Sequence, residues 1–154
     1  MLDKFIPMKK NILTLSLLTL MTVFGYSQCD HLQYADDCKK HLNEDHFTFV
    51  KEFEIFSEKG EAVEHSFSLV KSQDYEYWFS GDDWSHHTMT ATLYDSKHKK
   101  IASNHPSEKE FLHVIKYHPL ESGIYYIKFE FHENEAFCGS AVLGFHRHTE
   151  KSTK

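Results

Sequence analysis

Residues 123–132 read GIYYIKFEFH, and along this stretch apolar and polar side chains alternate. Side chains of a β-strand point to opposite faces in turn, so one face of this segment is apolar and aromatic. That face consists of Tyr125, Ile127, Phe129 and Phe131. Residues 88–94, TMTATLY, show the same alternation, with threonines on the second face. Both stretches predict strands with one buried face, as is typical of antiparallel sheets.

Segments with this period of two continue through the rest of the chain. From residue 47 onward the sequence predicts seven or eight short strands, with turns at roughly every dozen residues. The segment from Asp30 to Asn43 differs, because its apolar residues recur at three- and four-residue steps and predict a short helix. Those residues are Leu32, Ala35, Cys38 and Leu42. We therefore expect an all-β fold, an antiparallel β-sandwich or jelly roll with one short N-terminal helix.

The first 27 residues have the organisation of a secretory signal peptide. Two lysines precede an uncharged apolar run over residues 12–24, and Gly25 and Ser27 place small residues before a cleavage point after Ser27. The apolar run is too short to span a bilayer comfortably. A retained membrane anchor and a lipoprotein modified at Cys29 are the alternatives. We expect an exported protein, periplasmic or extracellular.

The cleavage point sets the expected domain organisation. Residues 28–150 are predicted to form one β-sandwich domain, which is enough chain for a single core. Residues 151–154 form a polar tail that we expect to be disordered. Translation starts at Met1 or at Met8, because the segment that opens at Met8 also has the form of a signal peptide.

The mature chain is acidic. Residues 28–154 carry 14 lysines and arginines against 22 aspartates and glutamates, a formal net charge of −8. Such a charge repels nucleic acid and anionic lipid, so the sequence excludes partners that recognise a basic patch. No long apolar segment follows residue 27, and we expect no transmembrane segment in the mature chain.

All three cysteines lie after the predicted signal peptide. An exported protein meets an oxidising compartment, where one disulfide is the default and the third cysteine is left over. Spacing does not choose among the possible pairs. We favour Cys29–Cys38, with Cys38–Cys138 as the alternative, and expect the remaining thiol to be buried and inert.

Two stretches resemble the pre-peptidase C-terminal domains of bacteria. Residues 93–95 (LYD) and 101–104 (IASN) resemble a hairpin of that family, and residues 119–127 (PLESGIYYI) resemble one of its core strands. The resemblance covers residues 65–132. It implies a jelly-roll-like sandwich of a kind found attached to secreted enzymes, where it binds substrates or assists secretion. This chain also resembles small exported bacterial proteins that stand alone, because no catalytic domain accompanies the module.

Histidine is the most unusual component of the chain, with 13 copies. Imidazole is a common ligand of divalent metals, and two clusters are candidate metal sites for zinc, copper or calcium. The first cluster comprises Asp82, Asp83, His86 and His87 in a loop between strands. The second is the pair His146 and His148, which share a strand face, with His132 as a possible third ligand. An ordinary solvated surface also explains both clusters, and no cofactor is otherwise predicted.

Aromatic residues offer a second kind of site. Tyr75 and Tyr77 fall on the predicted core face of their strand, whereas Trp78 falls on the opposite face and Trp84 in a loop. We therefore predict Trp78 and Trp84 as ligand-binding residues. No catalytic motif is found, since Gly139-Ser140-Ala141 lacks the pattern of a nucleophile elbow. The leading hypothesis is a non-catalytic binding or accessory module for a protein or glycan, and the alternative is a metal-binding periplasmic protein.

Overall fold

The computed structural model describes residues 29–82, 89–107, 110–132 and 136–147. The described residues form one helix and eight strands. In chain order these are α1 (His31–Glu44), β1 (Thr48–Ser57), β2 (Val63–Leu69), β3 (Gln73–Gly81), β4 (Met89–Tyr94), β5 (Lys100–Ser103), β6 (Val114–Tyr117), β7 (Gly123–Phe131) and β8 (Phe137–Arg147). The prediction of an all-β sandwich with one short helix is confirmed.

The strands form two four-stranded sheets in which all neighbours are antiparallel. Sheet A has the order β1-β8-β3-β6, and sheet B has the order β2-β7-β4-β5. The chain crosses between the sheets at almost every connection, and its first and last strands pair with each other. Eight strands in these two interleaved orders are the arrangement of a jelly roll.

The main core lies between the inner faces of the two sheets. It contains the aromatic residues that the alternation predicted, including Tyr75 and Tyr77 of β3 and the apolar face of β7. Phe79 of sheet A meets Phe129 of sheet B edge to face, with ring centroids 6.0 Å apart. The period of two therefore identified the buried face of both strands correctly.

Helix α1 covers the outer face of sheet A, where it packs against β8, β3 and β1. It begins and ends one residue later than predicted. Ala35, Cys38 and Leu42 are buried against Val142 of β8, whereas Leu32 is 58% exposed. A side chain at Gly144 would collide with Leu42, since an added Cβ would lie 2.5 Å from its Cδ2 atom. Glycine at this position allows the helix to approach the sheet.

The predicted disulfides are both wrong. The structure joins Cys29 to Cys138, with a Cα–Cα distance of 5.4 Å, and leaves Cys38 as a buried free thiol. The physical reason is the helix. Cys38 lies about 10 Å along the axis of α1 from its start, at 1.5 Å per residue, and so cannot reach Cys29. The chain just before α1 instead lies over the start of β8, where Cys138 points outward.

The predicted signal peptide (residues 1–27) and tail (residues 151–154) lie outside the described residues and stay predictions. Within the part of the chain that the structure describes, α1 falls short of the length and apolarity that a membrane-crossing helix requires.

Candidate binding groove beside the helix

Trp78 lies on the outer face of sheet A, at the side of α1, and is half-buried. Its indole ring stacks on the imidazole of His41, with centroids 4.5 Å apart and planes inclined by 15°. Its Nε1–H donates a hydrogen bond to Glu76 Oε2 at 3.0 Å. These two contacts hold the indole in one orientation. Trp84, the other predicted aromatic ligand, lies outside the described residues.

Glu76 is the buried charge behind Trp78. Its side chain is only 2% exposed, and its second oxygen accepts from Lys116 Nζ at 2.5 Å. Lys116 also reaches Asp45 Oδ2 at 3.3 Å, across the space between β6 and the end of α1. The hydrogen bond that Lys116 donates to Glu76 raises the pKa of Lys116 above its ordinary value. Burying a carboxylate costs folding free energy unless the group is paired and hydrogen-bonded, and here both oxygens of Glu76 have a partner.

A cleft of about 450 Å³ opens next to the indole. Asp37 and His41 of α1 form one wall, Trp78 and Ser80 of β3 form the floor, and His113 lies on the far side. The volume falls in the range of small-molecule or side-chain binding sites, about 300–1,000 Å³. Carboxylate, imidazole and indole groups together suit a ligand with both polar and flat apolar parts.

The outer face of sheet A has a further recess toward the start of β3. A second depression of about 370 Å³ is lined by Phe47, Asp74, Glu76, Lys116 and His118. The Glu76–Lys116 pair separates it from the cleft at Trp78, one step along β3. We name these two neighbouring depressions, on the outer face of β3 and β6 beside α1, the Trp78 groove.

The thiol of Cys38 also borders the groove but is 1% exposed as a residue. Burial raises its pKa to about 12, with smaller contributions from Asp37 and Glu52. A thiol of that pKa carries almost no thiolate at neutral pH, and thiolate is the nucleophilic form. Cys38 is therefore a packing residue of α1, although both predicted pairings placed it in the disulfide.

The first predicted metal cluster is described only at Asp82. This carboxylate accepts a hydrogen bond from the hydroxyl of Tyr34, which raises the pKa of Tyr34 to about 12. Asp83, His86 and His87 lie outside the described residues, so the cluster stays a prediction.

The second predicted cluster is described at His146, whereas His148 lies outside the described residues. The imidazole of His146 lies 5.8 Å from the ring of Phe47. The proposed third ligand, His132, was wrongly placed: β7 belongs to sheet B, and the strands beside β8 are β1 and β3. His132 instead hydrogen-bonds Thr90 at 2.7 Å.

Within the described ranges, one group of three possible metal ligands has its ligand atoms close together: Cys29, His31 and Glu54. The sulfur of Cys29 is bonded to Cys138, so it offers no thiolate to a metal. His31 Nδ1 and Glu54 Oε1 lie 3.8 Å apart and form an ion pair when the imidazole is protonated. This group is therefore a structural contact at the disulfide.

The groove depends on residues that the sequence analysis did not single out, above all His41, Glu76 and Lys116. In the sequence, Glu76 and Lys116 occupy outward positions of their strands and have the pattern of solvent-facing residues. Only the position of α1 over sheet A buries Glu76 and brings His41 to Trp78. No local signal marks either event.

The sequence matches no protein-family model and no curated protein. Among solved structures, the fold is similar to that of the crystal structure of Aeromonas hydrophila PliG, a periplasmic lysozyme inhibitor of g-type lysozyme. The TM-score is 0.50 at 9% sequence identity, over 62% of this chain and 85% of that chain. At this identity the likeness shows the β-sandwich fold alone. The resemblance to pre-peptidase C-terminal domains stays a prediction.

Proposed function

We propose that this protein is an exported, non-catalytic binding module whose partner is a protein that contacts the Trp78 groove. The observation that carries the proposal is the fixed indole of Trp78 beside an open cleft. The ring stacks on His41 and hydrogen-bonds a glutamate that is almost completely buried. Tryptophan is enriched among the residues that dominate protein–protein binding energy.

Pre-organisation is the physical argument for this surface. Binding costs free energy to immobilise each flexible side chain, about 0.5–1.5 kcal/mol. Trp78 has already lost that freedom in the unbound protein, because two contacts fix its ring. It points away from the core between the sheets, and one side of the ring packs against the cluster between α1 and β8.

Three observations support the rest of the proposal. Disulfides persist in oxidising compartments, so the Cys29–Cys138 bond supports export. Burial keeps the Cys38 thiol from acting as a nucleophile beside the groove, which is consistent with a binding role. PliG, whose fold is similar, is an inhibitor of g-type lysozyme, itself a protein, which favours a protein partner over a glycan.

The test uses g-type lysozyme as the probe and the chain expressed from Gln28, which contains every described residue. We expect this protein to inhibit the lysozyme, and Trp78→Ala to weaken binding about tenfold or more, as for a hot-spot residue. Tyr126→Ala, on the outer face of sheet B, is the matched control and should leave binding unchanged. Isothermal titration calorimetry measures the affinity of the unmodified chain and of both variants for the lysozyme.

Two results count against the proposal. Loss of binding in Tyr126→Ala with full binding in Trp78→Ala moves the interface to sheet B. Absence of both binding and inhibition by the unmodified chain removes g-type lysozyme as the partner.

A further inference from the structure

Four side chains with metal-binding atoms meet where the start of α1 lies over sheet A. The ligand atoms of Cys29, His31 and Glu54 all lie within 4.8 Å of one another. Cys138 is bonded to Cys29, so its sulfur is one bond away from this group. Two sulfurs, one imidazole and one carboxylate are ligands that zinc accepts in a tetrahedral site. In the oxidised chain, the disulfide keeps both sulfurs from binding an ion.

The strand register and the start of the helix explain how these residues meet. Cys138 of β8 pairs with Phe56 of β1, and Glu54 lies two residues away from Phe56 on the same face of β1. His31 is the first residue of α1, and Cys29 lies two residues before it. The four ligands therefore come from three elements that the fold holds together.

The distances in the group are close to those of a tetrahedral zinc site. His31 Nδ1 and Glu54 Oε1 lie 3.8 Å apart. Nitrogen and oxygen ligands at the usual bond lengths to a tetrahedral zinc are about 3.4 Å from each other. Two sulfurs on one zinc are about 3.8 Å apart, a separation that Cys29 and Cys138 can adopt once their bond is broken. The group therefore needs little more than cleavage of the disulfide to surround an ion.

A cavity of about 330 Å³ gives a reductant and an ion access to the disulfide. Both Cys29 and Cys138 line this cavity. Asp30 and Asp82 line it as well, and their carboxylates attract a divalent cation. The imidazole of His31 is 32% exposed, so solvent also reaches the ligand that the helix provides.

Helix α1 has contacts that do not depend on the disulfide. Cys38 and Leu42 are buried against Val142 of β8. Lys39 Nζ lies 2.9 Å from Glu52 Oε2, which joins the helix to β1. We therefore expect α1 to stay on sheet A after reduction, with the four ligands still close together.

We propose that reduction of the disulfide turns this group into a site for one zinc ion, bound by all four side chains. The two electrons come from a dithiol, which becomes a disulfide while each cysteine gains a proton. Zn²⁺ then displaces both thiol protons, because the thiolate is the form that binds a metal. Disulfide and zinc are thus alternative links between α1 and sheet A.

The reduced form is one that an exported protein passes through. Cysteines are kept reduced in the cytosol and form disulfides only in an oxidising compartment. Zinc can therefore occupy the site before oxidation, and formation of the disulfide releases it. The site does not depend on the proposed protein-binding function.

The experiment is a titration of Zn²⁺ alone, in competition with a chromophoric chelator, into the chain expressed from Gln28 without an affinity tag. The chain is measured oxidised and after reduction by a phosphine, which becomes a phosphine oxide; dithiols are avoided because they bind zinc themselves. We expect the reduced chain to bind one equivalent, at least about a hundredfold more tightly than the oxidised chain, which lacks two of the four ligands.

Single variants separate this site from other zinc-binding groups. His31→Ala and Glu54→Gln should each weaken zinc binding by the reduced chain at least about tenfold, since each removes a direct ligand. Two controls should bind Zn²⁺ like the unmodified reduced chain. His98→Ala removes an exposed histidine that stacks on Tyr126 of sheet B, and Cys38→Ala removes the buried free thiol.

Co²⁺ in place of Zn²⁺ reports directly on the sulfur ligands. Thiolate-bound Co²⁺ has an intense charge-transfer absorption in the near ultraviolet, which imidazole and carboxylate ligands do not produce. We expect this absorption in the reduced unmodified chain and in Cys38→Ala, and its loss in Cys29→Ser/Cys138→Ser. His31→Ala and Glu54→Gln keep the disulfide, so thermal unfolding of their oxidised forms checks that both variants are folded.

Four zinc results overturn the proposal: no binding by the reduced chain, equal affinity in the oxidised chain, full binding by the reduced His31→Ala/Glu54→Gln double variant, or an equal loss in His98→Ala. Binding of Co²⁺ without the thiolate absorption overturns it as well. The lysozyme experiment uses the oxidised chain, in which the zinc site is absent. Failure of the metal site and failure of the protein-binding groove are therefore separate results.

Discussion

The outer faces of the two sheets differ much more than their inner faces. On sheet A, α1 covers β8 and buries Val142, Ser140 and the charged Glu76. On sheet B, the described residues place no helix over β7, Ile124 remains 46% exposed, and Tyr126 stacks on His98. The groove with the fixed tryptophan exists only where a third layer packs on the sandwich. A two-sheet jelly roll by itself provides a scaffold, and the added helix creates the recess.

Residue size on the outward positions explains where the helix docks. Along β8 these positions include Ser140, Val142 and Gly144, which leave room for the apolar face of α1. Along β7 the corresponding positions carry Tyr126 and Lys128, whose long polar side chains favour contact with solvent over the packing of a helix. The different outer faces therefore follow from the side chains on the central strands of the two sheets.

The first test of this comparison, with the largest expected effect, removes the covalent link between α1 and sheet A. The disulfide closes a loop with a sequence separation of 109 residues. The chain-entropy model assigns such a loop about 4–5 kcal/mol. We expect the Cys29→Ser/Cys138→Ser double variant to lose about that much free energy of unfolding in a urea titration. Reduced unmodified protein is the control and should match the variant, whereas equal stability of the oxidised protein and the variant would contradict the prediction.

The second test compares one apolar truncation on each outer face. Leu42→Ala removes a side chain that is 1% exposed between α1 and β8. A buried leucine truncation costs about 2–4 kcal/mol of unfolding free energy. Ile124→Ala on sheet B removes a side chain that is 46% exposed and should cost within about 0.5 kcal/mol. Chemical unfolding measures the free energy of unfolding of both variants. Similar losses would show that the packing of α1 on sheet A contributes no buried core.

The third and smallest test compares one lysine on each outer face. Lys116→Met leaves Glu76 buried without its cation, and we expect a loss of about 1–3 kcal/mol, reduced from that of a fully buried pair because Lys116 is 62% exposed. Lys128→Met on sheet B breaks the exposed pair with Glu130 and should cost less than about 0.5 kcal/mol. Equal effects in thermal or urea unfolding would contradict the comparison.

The pH dependence of the two lysine pairs has a defined sign. Hydrogen bonds that Lys116 donates to Glu76 and Lys128 donates to Glu130 raise the pKa of each lysine above 10.5 in the folded protein. Each pair's stabilisation is thus fully present below pH 10.5 and is lost as the pH rises through the folded pKa. The stability difference between the unmodified chain and Lys116→Met should therefore be constant around neutral pH and shrink in strongly alkaline solution.

Local periodicity predicted most of the architecture. The alternation in residues 123–132 identified the buried face of β7, and the three- and four-residue steps placed α1 within one residue at each end. Trp78 was also correctly assigned to the face opposite Tyr77. These features are encoded by neighbours in the sequence, because a strand or helix repeats its side-chain directions every few residues.

The pairings between distant residues could not be predicted in this way. The Cys29–Cys138 bond depends on where the start of α1 lies over β8, and the burial of Glu76 depends on the same helix. The contact between the imidazole of His118 and the carboxylate of Asp74, 2.8 Å apart, depends on the pairing of β3 with β6. By itself, the sequence determined the strand faces, the helix and the acidic charge. The tertiary structure alone decided which of those faces became a groove, because strand order and helix docking join residues that are far apart in the chain.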